Sequence, residues 1–452
     1  MERFDVAVIG GGVVGVATAR RLALEGRSVV LIEKGLDILS GASKANSAIL
    51  HTGFDAPAAS LELQCMRSGY AQYMALREAM NLPVLDTGAM VVAWTEAQVA
   101  ELPAILAAAH ANGVPDASLM TAGEIHAREP KLAPALAAIL VPGECIIDPW
   151  SPFYAYAQQI LAAGGEIRCG CEVTDGHFDG IVWHLDTGLG AVSAQTVVNA
   201  AGLYGDRIDQ LLLGASDFTI KPRRGQFVVF DKAAAAHLRS IILPVPEPRT
   251  KGVVLTRTIF GNLLVGPTAE ETDDRDRPVT TPEELTKLIR RAVEILPVLQ
   301  DMPVTATYAG LRPATERKEY RVRHHADRNM VTVGGIRSTG LTASLGLASY
   351  VASLLTGTFT PAPVPLVPPR VPNLAEHLPR DWQVPGYGEI ICHCEMVTRR
   401  EILTALDTPF PPADFGGLKR RTRCAMGRCQ GFNCLGRLEE LTRGRLAQGV
   451  VP

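Results

Sequence analysis

The chain has 452 residues, with 44 Lys and Arg against 47 Asp and Glu, which gives a formal net charge of −3. At roughly 150 residues per domain, this length predicts about three domains. Hydrophobic residues make up 47% of the chain, enough for a large core, so extensive disorder is excluded. The near balance of charge disfavours a nucleic-acid binder with a strongly basic surface. The lack of a long apolar run and of a signal peptide predicts a cytoplasmic protein without a transmembrane helix.

The first elements in the chain predict a βαβ unit: a buried strand over 5–9, a helix over 16–24 and a second strand over 28–33. The turn between strand and helix carries Gly10-x-Gly12-x-x-Gly15. In this fingerprint the glycines permit a tight turn, close approach of a pyrophosphate and close packing of helix on strand. Glu33 ends the second strand, where an acid binds ribose hydroxyls and repels the 2′-phosphate of NADP. The unit predicts a dinucleotide site, with FAD and NAD both open.

Later segments of the chain favour FAD over NAD as the dinucleotide. Residues 97–138 are alanine-rich and predict helix, whereas 225–230 and 252–256 alternate and predict an antiparallel sheet. Two further strands, at 196–202 and 330–335, run into glycine turns. The first of them ends in Asn199-Ala-Ala-Gly202, which resembles a turn of FAD-dependent oxidoreductases. Residues 340–344 begin a late helix whose positive N-terminus would face the flavin, and no second glycine fingerprint is present for NAD.

The cysteines gather at the C-terminus. Eight prolines between Pro361 and Pro385 predict an extended, semi-rigid tether, after which five of the nine cysteines follow within 43 residues. A cytosolic chain does not cluster cysteines for disulfides, so a tetrahedral zinc or a 2Fe–2S cluster is expected. The basic run 419–423 and Arg428 would stabilise an anionic cluster, which favours iron–sulfur.

The resulting fold class is α/β, with a Rossmann-type FAD-binding domain interleaved with an antiparallel-sheet substrate domain. We assign residues 1–80, 145–215 and 326–360 to the FAD-binding domain and residues 81–144 and 216–325 to the substrate domain. A Pro-rich linker over 361–388 leads to a small C-terminal 2Fe–2S domain over 389–452.

Three longer motifs carry a family resemblance: residues 41–53, 309–315 and 335–344. With them the chain resembles the D-amino-acid-oxidase superfamily of FAD-dependent oxidoreductases, and within it the catalytic FAD subunits of anaerobic glycerol-3-phosphate dehydrogenase. Residues 392–394 and 426–434 resemble the 2Fe–2S domain related to bacterioferritin-associated ferredoxin. L-2-hydroxyglutarate oxidases share part of the first motif.

The resemblance implies cluster ligands and FAD contacts. The implied ligands are Cys392, Cys394, Cys429 and Cys434, with Cys424 as a spare thiol or an alternative ligand. The implied FAD contacts are Gly10, Gly12, Val13, Val14, Glu33, Lys34, Ser43, Asn46, Ser47, Val173, Ala201, Gly202, Gly340, Leu341 and Thr342.

Oxidation of a secondary alcohol needs a base and an anchor for the substrate anion. The resemblance implies His51 as the base and Arg312 as the anchor. Lys251 and Arg337 are weaker anchors, Ser338 and Thr339 are possible hydrogen-bonding groups, and Trp150 is either a pocket wall or core.

The predicted function is dehydrogenation of a small anionic alcohol, glycerol 3-phosphate first, with electrons leaving through the cluster to a partner subunit or quinone. Alternatives are an L-2-hydroxy acid, an imino or amino acid, direct use of oxygen, or a non-catalytic electron-transfer subunit. Peripheral contact with the inner face of the membrane and a homo- or hetero-oligomer remain open.

Overall fold

The computed structural model describes residues 2–246, 252–355 and 363–450. Their first sheet is built on five parallel strands, which lie in the order Glu166–Arg168, Val29–Ile32, Glu2–Ile9, Val192–Asn199 and Met330–Gly334. Short apolar runs form these strands because both faces of a parallel sheet are buried. Antiparallel strands Val173–Phe178, Trp183–Thr187 and Arg321–His325 extend the sheet.

One strand departs from the predicted domain ranges. Arg321–His325 pairs with Met330–Gly334 in the first sheet, although the range 216–325 assigns it to the substrate domain. The reason is local, since a short 3-10 turn at Ala326–Arg328 and a left-handed Asn329 join the two strands as a hairpin.

The second sheet is mainly antiparallel and comes from two separate stretches of chain. Its described strands are Ala89–Ala93, Ser118–Thr121, Ala137–Val141, Arg223–Phe230, Ile241–Pro244, Val254–Arg257, Leu263–Gly266, Glu270–Glu271 and Val304–Arg312. A small sheet of Ile49–Leu50, Val84–Leu85 and Cys145–Ile147 lies apart from both. It brings residue 50 opposite residue 145, which matters for the site described below.

Helices cover the sheets and connect them. The first helix, Val13–Leu24, packs against Ser151–Ala162 and against the late helix, Gly340–Leu354. The other described α-helices are Leu61–Leu76, Glu96–Ala111, Ala122–Arg128, Gly205–Leu213, Lys232–Ala235, Pro282–Ile295, Arg399–Leu406, Phe415–Thr422 and Leu435–Thr442. Short 3-10 turns lie at Ala42–Lys44, Gly202–Tyr204, Pro297–Asp301, Ala326–Arg328 and Asp381–Gln383.

The prediction of helix throughout 97–138 is wrong in its middle and at its end. The helix stops at Ala111, and the strands Ser118–Thr121 and Ala137–Val141 pair with each other. Gly113 has φ +86° and Asn112 turns its side-chain amide to the carbonyls of Gly53 and Ala56. A left-handed glycine ends a helix, whatever the alanine content around it.

The Pro-rich segment is irregular but is not a free tether. In its described part, Val371 donates to the carbonyl of Met80 and Glu376 donates to the carbonyl of Ile259, both at 2.9 Å. Leu374 and Ala375 are buried in the main core. The segment therefore runs along the surface of the larger domains, and the prediction of an extended tether is wrong for this part.

The C-terminal module, residues 389–450, has a core of its own around Val397, Ile402, Leu418 and Leu438. A two-stranded sheet, Ile390–Cys392 with Val397–Thr398, and three short helices surround this core. Phe410 and Met426 pack against the main core, so the module is docked on the larger domains.

Candidate active site and cysteine cluster

The glycine turn has the shape of a dinucleotide cradle. A Cβ on Gly15 would lie 1.8 Å from the Gly10 carbonyl oxygen, and Gly10 itself has φ +109°. Glu33 folds back over this turn, its carboxylate accepting from the backbone of Gly11 at 2.6 Å and of Gly35 at 2.7 Å. Burial raises the pKa of Glu33, against these two N–H groups, which lower it. The three glycines and the acid thus lie together as the sequence predicted.

The N-terminus of the first helix faces the same cradle. Its N-cap is Gly12, which provides no side-chain cap, and Val13 donates instead to the Ser43 hydroxyl at 3.1 Å. Free N–H groups and the positive helix end suit a pyrophosphate, with Ser43 beside it. These residues fit FAD on the geometry of the turn.

The remaining predicted cofactor residues lie on six segments. Asn46 binds its own loop through the Ser43 carbonyl and the Ala48 amide, with Ser47 between them. Ala201 donates to Asn199 at 3.1 Å just before the 3-10 turn that begins at Gly202. Lys34 is exposed, and its Nζ lies 3.4 Å from the Tyr204 ring centroid. Val14 is in the first helix, and Val173 begins a strand. Gly340, Leu341 and Thr342 begin the late helix.

His51 forms a dyad that the sequence analysis missed. Its Nδ1 lies 2.7 Å from the Glu144 carboxylate, and Glu144 is fully buried. The other carboxylate oxygen of Glu144 accepts from the amide and the hydroxyl of Thr52, at 2.6 and 2.8 Å. The backbone of His51 donates to the Thr342 hydroxyl at 3.0 Å, which ties the dyad to the late helix. A carboxylate on one ring nitrogen fixes the orientation of the imidazole.

Only the pairing of strands 49–50 and 145–147 places Glu144 beside His51. Glu144 lies 93 residues from His51 and belongs to no motif that the sequence analysis identified. Glu144 could have been identified from the sequence by predicting this strand pairing.

Arg312 is a partly buried cation at the end of strand Val304–Arg312. Burial, together with the neighbouring Arg223 and Arg337, lowers its pKa to about 10. Among the described residues its guanidinium makes no ion pair, and its two hydrogen bonds, both to the Thr268 carbonyl, are 3.4 Å long. A cation held among cations in this way provides a site for an anion.

The strand of Arg312 reaches the segment 45–51. Tyr308, on the same strand, donates to the Asn46 carbonyl at 2.9 Å, and a Cβ on Gly310 would lie 2.7 Å from that of Ala45. The strand that ends at Arg312 therefore contacts the segment 45–51, and His51 is the last residue of that segment.

Four other predicted site residues have different positions. Thr339 is buried between the Tyr320 hydroxyl and the Glu62 carboxylate, each at 2.7 Å, so its hydroxyl is engaged within the protein. Ser338 is exposed beside it. Trp150 is buried and stacks on Phe260 at 5.6 Å, so it is core. Lys251 lies outside the described residues.

The cluster cysteines come together as two pairs. Cys394 lies beside Cys429, and Cys392 beside Cys434. Hydrogen bonds from the backbone of Asn433, Gly431 and Phe432 lower the pKa of Cys429. Within the described residues, no group of three or more His, Cys, Asp or Glu side chains is arranged closely enough to be a metal site as it stands. The donor set, two thiol pairs with backbone N–H groups at sulfur, nevertheless fits two irons with two thiolates each.

Cys424 makes a fifth cysteine behind these pairs. It is wholly buried and interacts electrostatically with Cys392 and Cys434. Burial raises its pKa to about 12. Since the other four thiols are already paired, Cys424 is a neighbour of the pairs and has no partner thiol of its own.

Most of the basic run does not surround the cysteines, which corrects the sequence interpretation. Arg420 and Arg421 point to the FAD-binding domain, and Arg423 pairs with Glu395 at 3.2 Å. Arg428 pairs with Asp231 at 2.8 Å. Lys419 does interact with thiols of the module, those of Cys424 and Cys434. The run docks the module because its side chains find carboxylates and aromatic rings on neighbouring domains.

Comparison with known proteins decides the family. Residues 5–354 match the family model described as FAD dependent oxidoreductase. The chain belongs to this family. It is an FAD-dependent oxidoreductase with mixed α/β architecture.

The similar curated proteins include two that are named for glycerol 3-phosphate. A glycerol 3-phosphate dehydrogenase from Caloramator mitchellensis is 32% identical over 97% of this chain and 93% of its own length. A glycerol 3-phosphate oxidase from Mycoplasma pneumoniae is 31% identical over 80% of this chain and 97% of its own.

Solved structures share the fold. The dithionite-reduced L-alpha-glycerophosphate oxidase from Mycoplasma pneumoniae with FAD bound superposes with a TM-score of 0.75 at 27% identity, covering 82% of this chain and 98% of that one. A glycine oxidase from Geobacillus kaustophilus gives 0.69 at 25% identity, covering 81% and 100%.

A search for membrane spans was negative. None of the helices in the described ranges combines the length and the apolar character that crossing a bilayer requires.

Proposed function

We propose that this oxidoreductase is a glycerol 3-phosphate dehydrogenase that oxidises the secondary alcohol and passes the electrons to a 2Fe–2S cluster in its C-terminal module. Two observations carry the proposal. His51, backed by the Glu144 carboxylate, lies in the segment 45–51. The strand that contacts this segment ends at Arg312, a partly buried cation without an ion pair among the described residues. His51 provides a base for the hydroxyl proton and Arg312 an anchor for the phosphate.

Two residues of the chain take part in the proposed reaction, one as a base and one as an anchor for the phosphate. His51, fixed by Glu144 on Nδ1, takes the hydroxyl proton on its other ring nitrogen. Arg312 binds the phosphate and so holds the carbon that bears the hydroxyl in one position, with Arg337 and Arg223 adding positive potential. When bound, FAD supplies the hydride acceptor, and Ser43 and the first-helix N-terminus would hold its pyrophosphate.

The extent of the match to the relatives supports a dehydrogenase rather than an oxidase. The dehydrogenase relative matches 97% of this chain, whereas the oxidase relative matches 80%. The difference is close in size to the linker and module together, residues 361–452. Cys392, Cys394, Cys429 and Cys434 would hold the cluster, which carries single electrons to an external acceptor.

An anaerobic substrate panel tests this function. Glycerol 3-phosphate, L-2-hydroxyglutarate, L-proline and glycerol are each added to FAD-loaded protein while the flavin absorbance is recorded. We expect fast bleaching with glycerol 3-phosphate and slow or no bleaching with glycerol, which lacks the anion. Faster bleaching with the hydroxy acid or the imino acid would mean that this compound, and not glycerol 3-phosphate, is the substrate.

A further inference from the structure

One loop of the FAD-binding domain touches both the glycine turn and the C-terminal module. This segment, residues 33–44 and here called the cofactor loop, contains Glu33 and Ser43. Inside the domain, Leu39 donates to the Gly11 carbonyl at 2.8 Å, in addition to the contacts of Glu33 and Ser43. The loop therefore wraps the turn on which the dinucleotide would lie.

The outer side of the cofactor loop is covered by helix Phe415–Thr422 of the module. Asp37 and Arg421 form a two-contact ion pair, one contact at 3.2 Å, and both side chains are almost wholly buried. Arg420 donates to the Ile38 carbonyl at 3.3 Å. Burial lowers the pKa of Lys44, and Arg420 lowers it further, so the module also faces the far end of the loop.

Tyr154 completes the contact from helix Ser151–Ala162. Its hydroxyl accepts from Arg420 at 2.8 Å, and the Arg421 guanidinium lies 3.7 Å from its ring centroid. The approach is close enough to require glycine at 417, since a Cβ there would lie 1.8 Å from the Asp37 carboxylate. A buried cation held by a carboxylate and an aromatic face gives this contact one defined geometry.

We propose that Asp37, Arg421, Arg420 and Tyr154 are positioning residues for FAD, through which docking of the C-terminal module and binding of the dinucleotide stabilise each other. The module thereby forms the outer wall of the cofactor loop. The coupling is reciprocal: a ligand that orders the loop favours the docked module, and a docked module favours the ligand. This inference needs neither the proposed substrate nor the cluster.

The first test is FAD affinity, measured by flavin fluorescence during reconstitution of the FAD-free protein. Arg421→Met leaves the buried Asp37 only its longer contact with Arg420, at 3.8 Å, and Asp37→Asn removes the carboxylate that pairs with Arg421. In each case we expect the Kd for FAD to rise about tenfold or more. The double variant Asp37→Asn with Arg421→Met removes both charges and should recover most of the affinity. Arg437→Met is the matched control, because Arg437 pairs with Glu389 and Glu440 on the exposed side of the module.

The second test is hydrogen exchange of residues 415–422 with and without FAD. In the wild type, FAD should slow this exchange, and in Arg421→Met the effect should be lost. Equal exchange in both states of the wild type overturns the proposal, as does a wild-type Kd in a folded Arg421→Met protein. Should that variant not fold, Tyr154→Phe removes only the hydroxyl contact and is expected to raise the Kd several-fold. An unchanged Kd there would also contradict the coupling.

Both readouts are independent of turnover. A protein that fails to oxidise glycerol 3-phosphate but shows the coupling would refute the proposed function alone.

Discussion

His51 and Glu144 show how a single buried carboxylate gives a histidine a defined role. Glu144 is held by Thr52 on one oxygen and holds His51 on the other. The imidazole is therefore fixed on its Nδ1 side, which suits the base proposed for the hydroxyl proton. The sequence motif predicted His51 but not its partner, because the partner comes from a strand pairing of high sequence separation.

Glu144→Gln keeps the size of the side chain and removes its charge. We expect flavin reduction by substrate to slow by about 10²-fold or more, because the imidazolium loses its stabilising carboxylate. Stopped-flow absorbance under anaerobic conditions measures this rate. Glu129→Gln is the matched control, since Glu129 is equally buried but accepts from the backbone of Arg239 and Ser240 in the substrate domain. A similar loss in both variants would indicate destabilisation of the fold.

Arg312→Met tests the anchor. Loss of a charged hydrogen-bonding partner should raise the KM for glycerol 3-phosphate by about 10- to 100-fold. Turnover of glycerol, measured at high concentration, should change little because glycerol has no phosphate to bind. Steady-state rates with a dye acceptor give both values. An equal effect on the two substrates would mean that Arg312 does not bind the phosphate.

At the scale of elements, the glycine turn shows why the first βαβ unit was predictable. Its strand, turn and helix follow one another directly, and the closest approach of the turn, that of Gly15 to the Gly10 carbonyl, lies within the unit. The segment 97–138 was not predictable in the same way. Its alanines suit helix, but Asn112 and Gly113 end the helix through contacts with residues 53–56.

Gly15→Ala should abolish FAD binding, because the added methyl group would lie 1.8 Å from the Gly10 carbonyl oxygen. The ratio of flavin to protein absorbance in the purified protein measures retention. Gly123→Ala is the control, since a Cβ at that helical position meets nothing within 4 Å. Retention of a full complement of FAD by Gly15→Ala would show that the turn does not hold the dinucleotide.

At the scale of the whole molecule, the sequence predicted that the cysteines of the C-terminal module cluster, but it did not predict where the module docks. The cysteine spacing indicated one cluster of thiols, and four of them lie as two pairs. The sequence could not show that Arg420 and Arg421 reach Asp37 and Tyr154, because those partners lie hundreds of residues away. The role of a basic run can therefore be assigned only when the residues that it contacts in the fold are known.

Cys429→Ser tests the ligand set. We expect loss of iron and of dye reduction in this variant, with flavin bleaching by substrate retained, because the base and the anchor lie on other domains. Cys424→Ser should keep its iron, since Cys424 is not a member of either pair. Iron content and visible spectra of the two purified proteins give the answer. Iron loss in Cys424→Ser with retention in Cys429→Ser would reverse the assignment.

The path of the electrons is the most direct test of the account. Protein loaded with FAD and iron is mixed anaerobically with glycerol 3-phosphate, frozen at intervals and examined by electron paramagnetic resonance, while flavin absorbance is followed in parallel. The account predicts that the flavin bleaches first and that the signal of a reduced 2Fe–2S cluster then rises. Bleaching without that signal, in protein whose cluster dithionite does reduce, would contradict electron transfer into the module.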